Sequence, residues 1–386
     1  SLDEIYNLDI SKTKAFYSDF LNINQSKMLS KFSYGRDKFI KAEGVYLYTD
    51  SGKKILDFSG GIGVLNHGHN NQAVLDARID FQNNKRMEVH KTVFSPYMAG
   101  LAHNIAQLLP KNLCKSFFCN SGSESVEGAI KAAYKFHNSE RKYILHSDIS
   151  FHGKTIVAGS ISGALDQSIF PRINNTKSFK YNDKESVETL INDLKNENGE
   201  SNIYALIIET FNNASLRECS DEFMEFLREV TERNKIILIF DEVYTGWGKT
   251  GYLFHFFKYK NISPDILCTS KSLGGGKSSI SAYTVDKFIY KQVYENYNDA
   301  FLHTSTYNGF GEECITAVVA INELIDNKLV ENSKKNGFLI SKKLDDLKTC
   351  FPKYISDVKG IGSIQGIVLN FSTTQLPRKA EMNVHN

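Results

Sequence analysis

The sequence predicts an α/β protein built on a mainly parallel central sheet with helices on both faces. Three observations carry this. Apolar runs of strand length recur without polar alternation: KSFFC (115–119), YILHS (143–147), IYALIIE (203–209), IILIF (236–240) and ILCTS (266–270). Strands covered on both faces read this way. Helix-like segments lie between several of them, the pattern of successive β-α units. The chain has 386 residues, which at about 150 residues per domain leaves room for two or three domains and a large core.

In a sheet of this kind ligands bind beyond the C-terminal strand ends, so the residues just after each run matter most. KSFFC is followed by Asn120, Ser121, Gly122, Ser123 and Glu124. Val126, Ala129, Ile130, Ala133 and Tyr134 then share one face of a helix. Ser121 or Ser123 caps that helix, and its N-terminus with two hydroxyls suits a phosphate. A plain Ser-capped helix has the same sequence. YILHS leads to Phe151, His152, Gly153 and Lys154. The aromatic pair suits a flat heterocycle, or simply a core Phe beside a turn. Glu209 closes IYALIIE, KNENGESN (195–202) reads as a loop, and DEFMEFLREVTERN (221–234) repeats the helical pattern. After IILIF come Asp241 and Glu242. A carboxylate at a buried strand end needs a cationic partner: a protonated ring nitrogen, a metal or a structural ion pair. ILCTS leads to Lys271, then Ser272, Leu273 and three glycines. Desolvation there would lower the amine's proton affinity and make it a nucleophile. The segment GGGKS (274–278) imitates a phosphate-binding loop, but the first glycine of that motif falls on Lys271. In order, these segments give the parts of a pyridoxal-phosphate site.

Composition narrows the alternatives. Lys+Arg of 46 against Asp+Glu of 44 gives +2, which argues against a dedicated nucleic-acid binder. The longest apolar runs are far too short to span a bilayer. The six cysteines form no C-x-x-C pair, so a metal site is not expected. They read as reduced thiols of a cytoplasmic protein, and SLDEIYNLDI at the start does not resemble a signal peptide.

With these residues in view, the chain resembles the class III aminotransferases of the ornithine, acetylornithine, 4-aminobutyrate and putrescine group. The resemblance runs from about Phe39 to Phe371, through EGVYLYTDSGKKILDFSGGIGVLNHGH (43–69), NSGSESVEGAIKAA (120–133), FHGKT (151–155), DEVYTGWGKTG (241–251), PDILCTSKSLGGG (264–276), FLHTSTYNG (301–309) and KGIGSIQGI (359–367). It implies fold type I of the pyridoxal-phosphate transferases. An N-terminal segment (1–60) would join a small α+β domain, a large cofactor-binding domain would span 61–310, and the C-terminal small domain would occupy 311–386.

The resemblance also implies roles. Lys271 would carry pyridoxal 5'-phosphate covalently and act as acid–base, while Asp241 would keep the pyridine nitrogen protonated. Val243 would pack under the ring and Phe151 over it, with His152 and Glu209 beside them. Ser121, Gly122 and Ser123 would bind the phosphate, joined by Thr306 from the partner of a homodimer. Lys154 would meet substrate carboxylates. The partners would be an amine donor, with a terminal amine of a diamine, ornithine-like or omega-amino acid type, and a 2-oxo acid such as 2-oxoglutarate.

Three departures bear on this. Tyr244 stands where relatives carry Gln, near the cofactor's ring oxygen. ETFNNAS (209–215) lacks a second glutamate, with Asn213 or Ala214 near its place. Relatives continue for about fifty residues past the late glycine motif, so the small domain is expected to be shortened, and Arg378 is a poor substitute for a carboxylate-binding arginine. An aminomutase, a decarboxylase or a non-catalytic member of the same fold stay open, although HTSTYNG (303–309) resembles the aminotransferase form.

Overall fold

The computed structural model describes residues 1–166, 168 and 171–370; the end of the C-terminal segment, including Arg378, lies outside the described residues. Short helices at Leu2–Tyr6, Ile10–Phe16 and Ile23–Leu29 precede a small antiparallel sheet, β1 (Phe39–Glu43), β2 (Tyr46–Thr49) and β3 (Lys54–Leu56). The central strands follow: β4 (Leu113–Cys119), β5 (Tyr143–Ser147), β6 (Thr176–Phe179) and β7 (Ile203–Ile208). A two-residue pair, β8 (Phe211–Asn212) and β9 (Arg217–Glu218), leads to β10 (Ile237–Asp241), β11 (Ile266–Thr269) and β12 (Ser281–Asp286). A C-terminal hairpin, β13 (Ile355–Ile361) and β14 (Ile364–Leu369), completes the described strands.

The seven-stranded sheet has the order β4-β12-β11-β10-β7-β5-β6. Pairing is parallel from β11 through β10, β7 and β5 to β6. β12 runs antiparallel to both β11 and β4. The expected mainly parallel sheet is therefore present, with one reversed strand. SAYTVD mixes polar and apolar residues, so β12 does not read as a buried strand, yet every residue in it is buried.

The two faces of the sheet hold separate apolar clusters. One contains Leu206, Leu238, Phe240 and Leu267, covered by Leu227 and Val230 of helix Asp221–Arg233 and by Leu101 and Ile105 of helix Pro96–Leu108. The other contains Ile144, Ile207, Ile239 and Cys268, covered by Val126, Ala129, Ile130 and Ala133 of helix Gly122–Phe136. Burying each large side chain contributes about 1.5–3 kcal/mol. Tyr134 departs from its expected place: it is 40% exposed, with its ring edge on Tyr204 and its hydroxyl donating to Ser139 O. At the C-terminus, helix Gly311–Asp326 packs on helices Gln72–Asn83 and Pro96–Leu108, and helix Leu329–Cys350 packs on the β13–β14 hairpin.

Candidate active site

Adjacent parallel strands lie about 4.8 Å apart, so residues leaving their C-terminal ends meet in one place. β11, β10, β7 and β5 are consecutive neighbours, and from them come Lys271, Asp241, Glu209 and the 151–153 turn. These line a cavity of about 290 Å³ together with Ser121, Gly122, Ser123, Val243 and Tyr244. Of the residues singled out in the sequence, ten lie here: Ser121, Gly122, Ser123, Phe151, His152, Glu209, Asp241, Val243, Tyr244 and Lys271. Lys154 is exposed and does not line the cavity. Thr306 lines a different cavity, with His90, Phe94 and Phe301.

The floor is held by short polar contacts. Asp241 is 5% exposed. Its Oδ2 lies 2.7 Å from His152 Nδ1, and its Oδ1 accepts from the Val243 amide at 3.0 Å. The histidine is itself buried, and its Nε2 has no partner among the described residues. Glu209 Oε2 accepts from the Phe151 amide (2.9 Å) and from Asn212 Nδ2 (2.8 Å). Burial pushes its carboxyl up to about 7, with the Asp241 charge adding to the rise.

Lys271 opens a short 3-10 turn and takes φ +48°, a left-handed conformation uncommon outside glycine. Strain of this kind collects at functional sites. Its Nζ sits 5.0 Å from the centre of the Tyr244 ring. Burial lowers the proton affinity of the amine, while Asp241 and Glu209 partly restore it.

Across the cavity, Ser121 caps helix Gly122–Phe136. Its Oγ accepts from the Glu124 amide, while Glu124 Oε2 accepts from the Asn120 and Ser121 amides. The first-turn amides of Gly122 and Ser123 have no carbonyl one turn back to bond. A Cβ on Gly122 would come within 2.7 Å of Val243 Cγ1, so only glycine lets the helix start approach the segment after Asp241.

Sequence reasoning missed Ile62, Ser270 and Lys249. Ile62 and Ser270 line the cavity. Ile62 comes from a run of positive φ over residues 60–63, which its setting among glycines signals only in retrospect. Lys249 is buried behind Tyr244, and its motif, GWGKTG, reads simply as a turn.

A lysine and a carboxylate leaving adjacent parallel strands, opposite a helix N-terminus, define the layout of a pyridoxal-phosphate enzyme. Residues 36–382 match the family Aminotransferase class-III. The chain is 33% identical over 357 residues to the acetylornithine aminotransferase of Clostridium acetobutylicum, covering 89% of this chain and 86% of that protein. It is 31% identical to the enzyme of the same name from Prochlorococcus marinus subsp. pastoris, covering 87% and 80%. Among solved structures, acetylornithine aminotransferase from Elizabethkingia anophelis superposes with TM-score 0.74 at 26% identity, over 87% of this chain and 81% of that one. A thermostable omega-transaminase from Thermomicrobium roseum shares the fold with TM-score 0.85 at 24% identity, over 97% and 88%. The chain belongs to the class III aminotransferases. It is a pyridoxal-phosphate-dependent transaminase, and nothing in the geometry or the relatives favours the aminomutase, decarboxylase or non-catalytic readings.

Proposed function

We propose that this enzyme uses Lys271 and Asp241 to move the terminal amino group of a diamine, ornithine-like or omega-amino acid donor to a 2-oxo acid such as 2-oxoglutarate. The observation that carries the reading is the convergence of these two residues on the cavity bounded by residues 121–123. The residues fit the cofactor at three points. Helix-start amides and two hydroxyls suit a phosphate, and the missing Cβ of Gly122 lets that helix start sit against Val243. The buried carboxylate of Asp241 on the cavity lining would suit a protonated ring nitrogen. A buried amine of lowered proton affinity suits an aldehyde.

Bound there, pyridoxal phosphate supplies an aldehyde for the amine and a protonated ring that accepts the electron pair released at the donor carbon. Lys271 Nζ takes the proton from that carbon and returns it on the cofactor side, as general acid–base. Asp241 holds the proton at the ring nitrogen, and His152 holds Asp241. Such a charge-assisted contact gains strength in a site closed to water. Val243 would support one face of the ring and Phe151 the other, with Phe151 anchored through its amide to Glu209. Tyr244 would meet the ring oxygen; the substrate-carboxylate role expected for Lys154 has no support in its exposed place outside the cavity.

For the donor, the support is the pair of relatives named acetylornithine aminotransferase and a cavity lining that includes the apolar Ile62 and Ala214. A panel of acylated ornithines, ornithine, diamines and 4-aminobutyrate, read through the cofactor spectrum, tests this; amino transfer only from α-amino groups, with no reaction of a terminal amine, rejects it. Borohydride reduction and peptide mapping test the attachment, and label on any other lysine rejects Lys271.

The same reading divides the chain into an N-terminal segment (1–60), a cofactor-binding domain (61–310) and a C-terminal small domain from 311, supported by the packing of helix Leu329–Cys350 on β13–β14. It includes a homodimer in which Thr306 serves the partner's phosphate. Phe94 and Phe301 support this, since both are exposed on the single chain and share a cavity with Thr306. Light scattering at working concentration should give twice the chain mass; a monomer with full activity rejects the dimer. Placement in the cytoplasm rests on the buried free cysteines Cys119, Cys219, Cys268 and Cys314 and is tested by cell fractionation. Among the described residues no helix is long and apolar enough to cross a membrane.

A further inference from the structure

Lys249 lies outside the Lys271 cavity, yet it touches the Lys271 turn. It is 5% exposed. Its Nζ donates to Gly246 O at 3.0 Å and to Ser272 Oγ at 2.9 Å. Ser272 directly follows Lys271, and its hydroxyl donates in turn to Gly63 O at 3.1 Å. The backbone carbonyl of Lys249 faces the other way. It accepts from Ser333 Oγ (2.7 Å), in helix Leu329–Cys350, and from the Ser363 amide (2.8 Å), at the tip of the β13–β14 hairpin. The Ser333 and Ser363 hydroxyls are themselves 2.8 Å apart.

The late glycine motif fits this junction: a Cβ on Gly362 would come 2.3 Å from Lys249 O, and one on Gly337 would come 2.2 Å from Gly362 O. One residue therefore joins the C-terminal helix and hairpin to the turn that presents Lys271. A lysine is an expensive choice for a buried brace, because an ammonium out of water needs compensation. Burial, with the Lys271 charge adding to it, pushes this amine down to about 7, and Glu242 is the acid that opposes the fall. His67 also feels the Lys249 charge. Around Lys271 the ionisable groups are Asp241 and Glu209 from the strand ends, Tyr244 beneath its amine, and Lys249.

We propose that Lys249 is a positioning residue, which transmits the seating of the C-terminal helix and hairpin to the Lys271 turn and so fixes where the Lys271 amine points. The proposal rests on the reading of Lys271 as the reacting amine. The test labels the cofactor-free chain with a small acylating reagent across a pH series and maps the label at Lys271. Lys249→Met keeps the apolar stem and loses the donor and the charge. Its Lys271 labelling midpoint should shift by about half a unit or more, because a displaced amine changes its burial and its distances to Asp241 and Glu209. In the loaded enzyme kcat should fall about tenfold or more while the donor KM changes less than about threefold. Lys249→Arg keeps donor and charge and should restore both. Ser333→Ala, on the far side of Lys249 from the site, should move the midpoint the same way by less. If Lys249→Met does not fold, Ser272→Ala and Ser333→Ala carry the test. An unchanged midpoint in the variants that fold, or a loss that Lys249→Arg does not restore, overturns the proposal. Cofactor fixed by borohydride to a lysine other than 271 would overturn the underlying reading as well, and shows itself separately in the wild-type map.

Discussion

The two ends of the central sheet hold their buried charges in different ways. At the N-terminal end, just before β11, Asp265 is gripped by Arg228 Nη1 and Nη2 at 2.9 and 3.3 Å, and its Oδ2 accepts from the Leu238 amide at 2.7 Å. Nearby, Arg141 Nη1 donates to the carbonyls of Ile203, Asn234 and Lys235. There the Asp265 charge is matched by Arg228 and the Arg141 charge is met by backbone carbonyls, and both hold the fold. At the C-terminal end, the partner within ion-pair distance of Asp241 among the described residues is His152, at 2.7 Å. Lys271 stands over an aromatic ring, with no carboxylate in ion-pair contact among the described residues. Buried charges without matched partners are costly. That end therefore carries polar groups aimed at something the chain itself does not supply. Burial alone does not separate Asp241, proposed to meet the cofactor, from Asp265; the separating feature is what each faces.

Substitutions at the two ends should behave as opposites. The largest effect is expected for Lys271→Ala: transamination should fall by about 10³-fold or more, with no cofactor fixed by borohydride and the thermal midpoint nearly unchanged. Asp241→Asn keeps the shape of the site and loses the charge, and should lower kcat by about 10²–10³-fold in steady-state assays, with little effect on denaturant unfolding. Asp265→Ala should reverse that pattern. It leaves Arg228 without its main partner and should destabilise the fold by about 2–3 kcal/mol in urea titration, with kcat per folded molecule kept. An Asp241→Asn protein that turns over normally but unfolds like Asp265→Ala would erase the contrast.

The sequence reveals what repeats and hides what depends on a single neighbour. The five apolar runs correspond to β4, β5, β7, β10 and β11, because full burial on both faces leaves an unbroken apolar signature. The helix over 221–234 is found at Asp221–Arg233 for the same periodic reason. β12 escapes, since its buried Ser281, Thr284 and Asp286 are accommodated by their surroundings; Thr284 meets Ser116 and Asp286 accepts from Asn112. At the site, strand-end position points to Asp241 and Lys271. The same rule leaves an ion pair as an alternative for Asp241, which lies 2.7 Å from His152; an Arg-matched aspartate of that kind is Asp265, paired with Arg228 at the other end of the next strand. Lys249 is hidden because its partners Ser272 and Ser333 are far away in sequence and the turn around it has no periodicity.

Glu209 offers the smallest and sharpest test of the contrast. In an unfolded chain its carboxyl would release its proton near the ordinary value of 4.5, whereas burial, reinforced by Asp241, holds it to about 7 in the folded chain. Between those values the folded chain keeps a proton that the unfolded chain has lost. Stability therefore falls as pH rises through this window, by about 1.4 kcal/mol per pH unit at most, and levels off above it. Glu209→Gln should keep the oxygen that accepts from the Phe151 amide and Asn212 Nδ2, while removing the titration. Urea unfolding of the cofactor-free chain at about pH 5 and about pH 7.5 should show the variant gaining on the wild type toward neutral pH. A gap that stays constant would mean that Glu209 is ionised and satisfied by its neighbours throughout. It would then belong with Asp265 among the carboxylates that hold the fold, leaving Asp241 alone to face the cofactor.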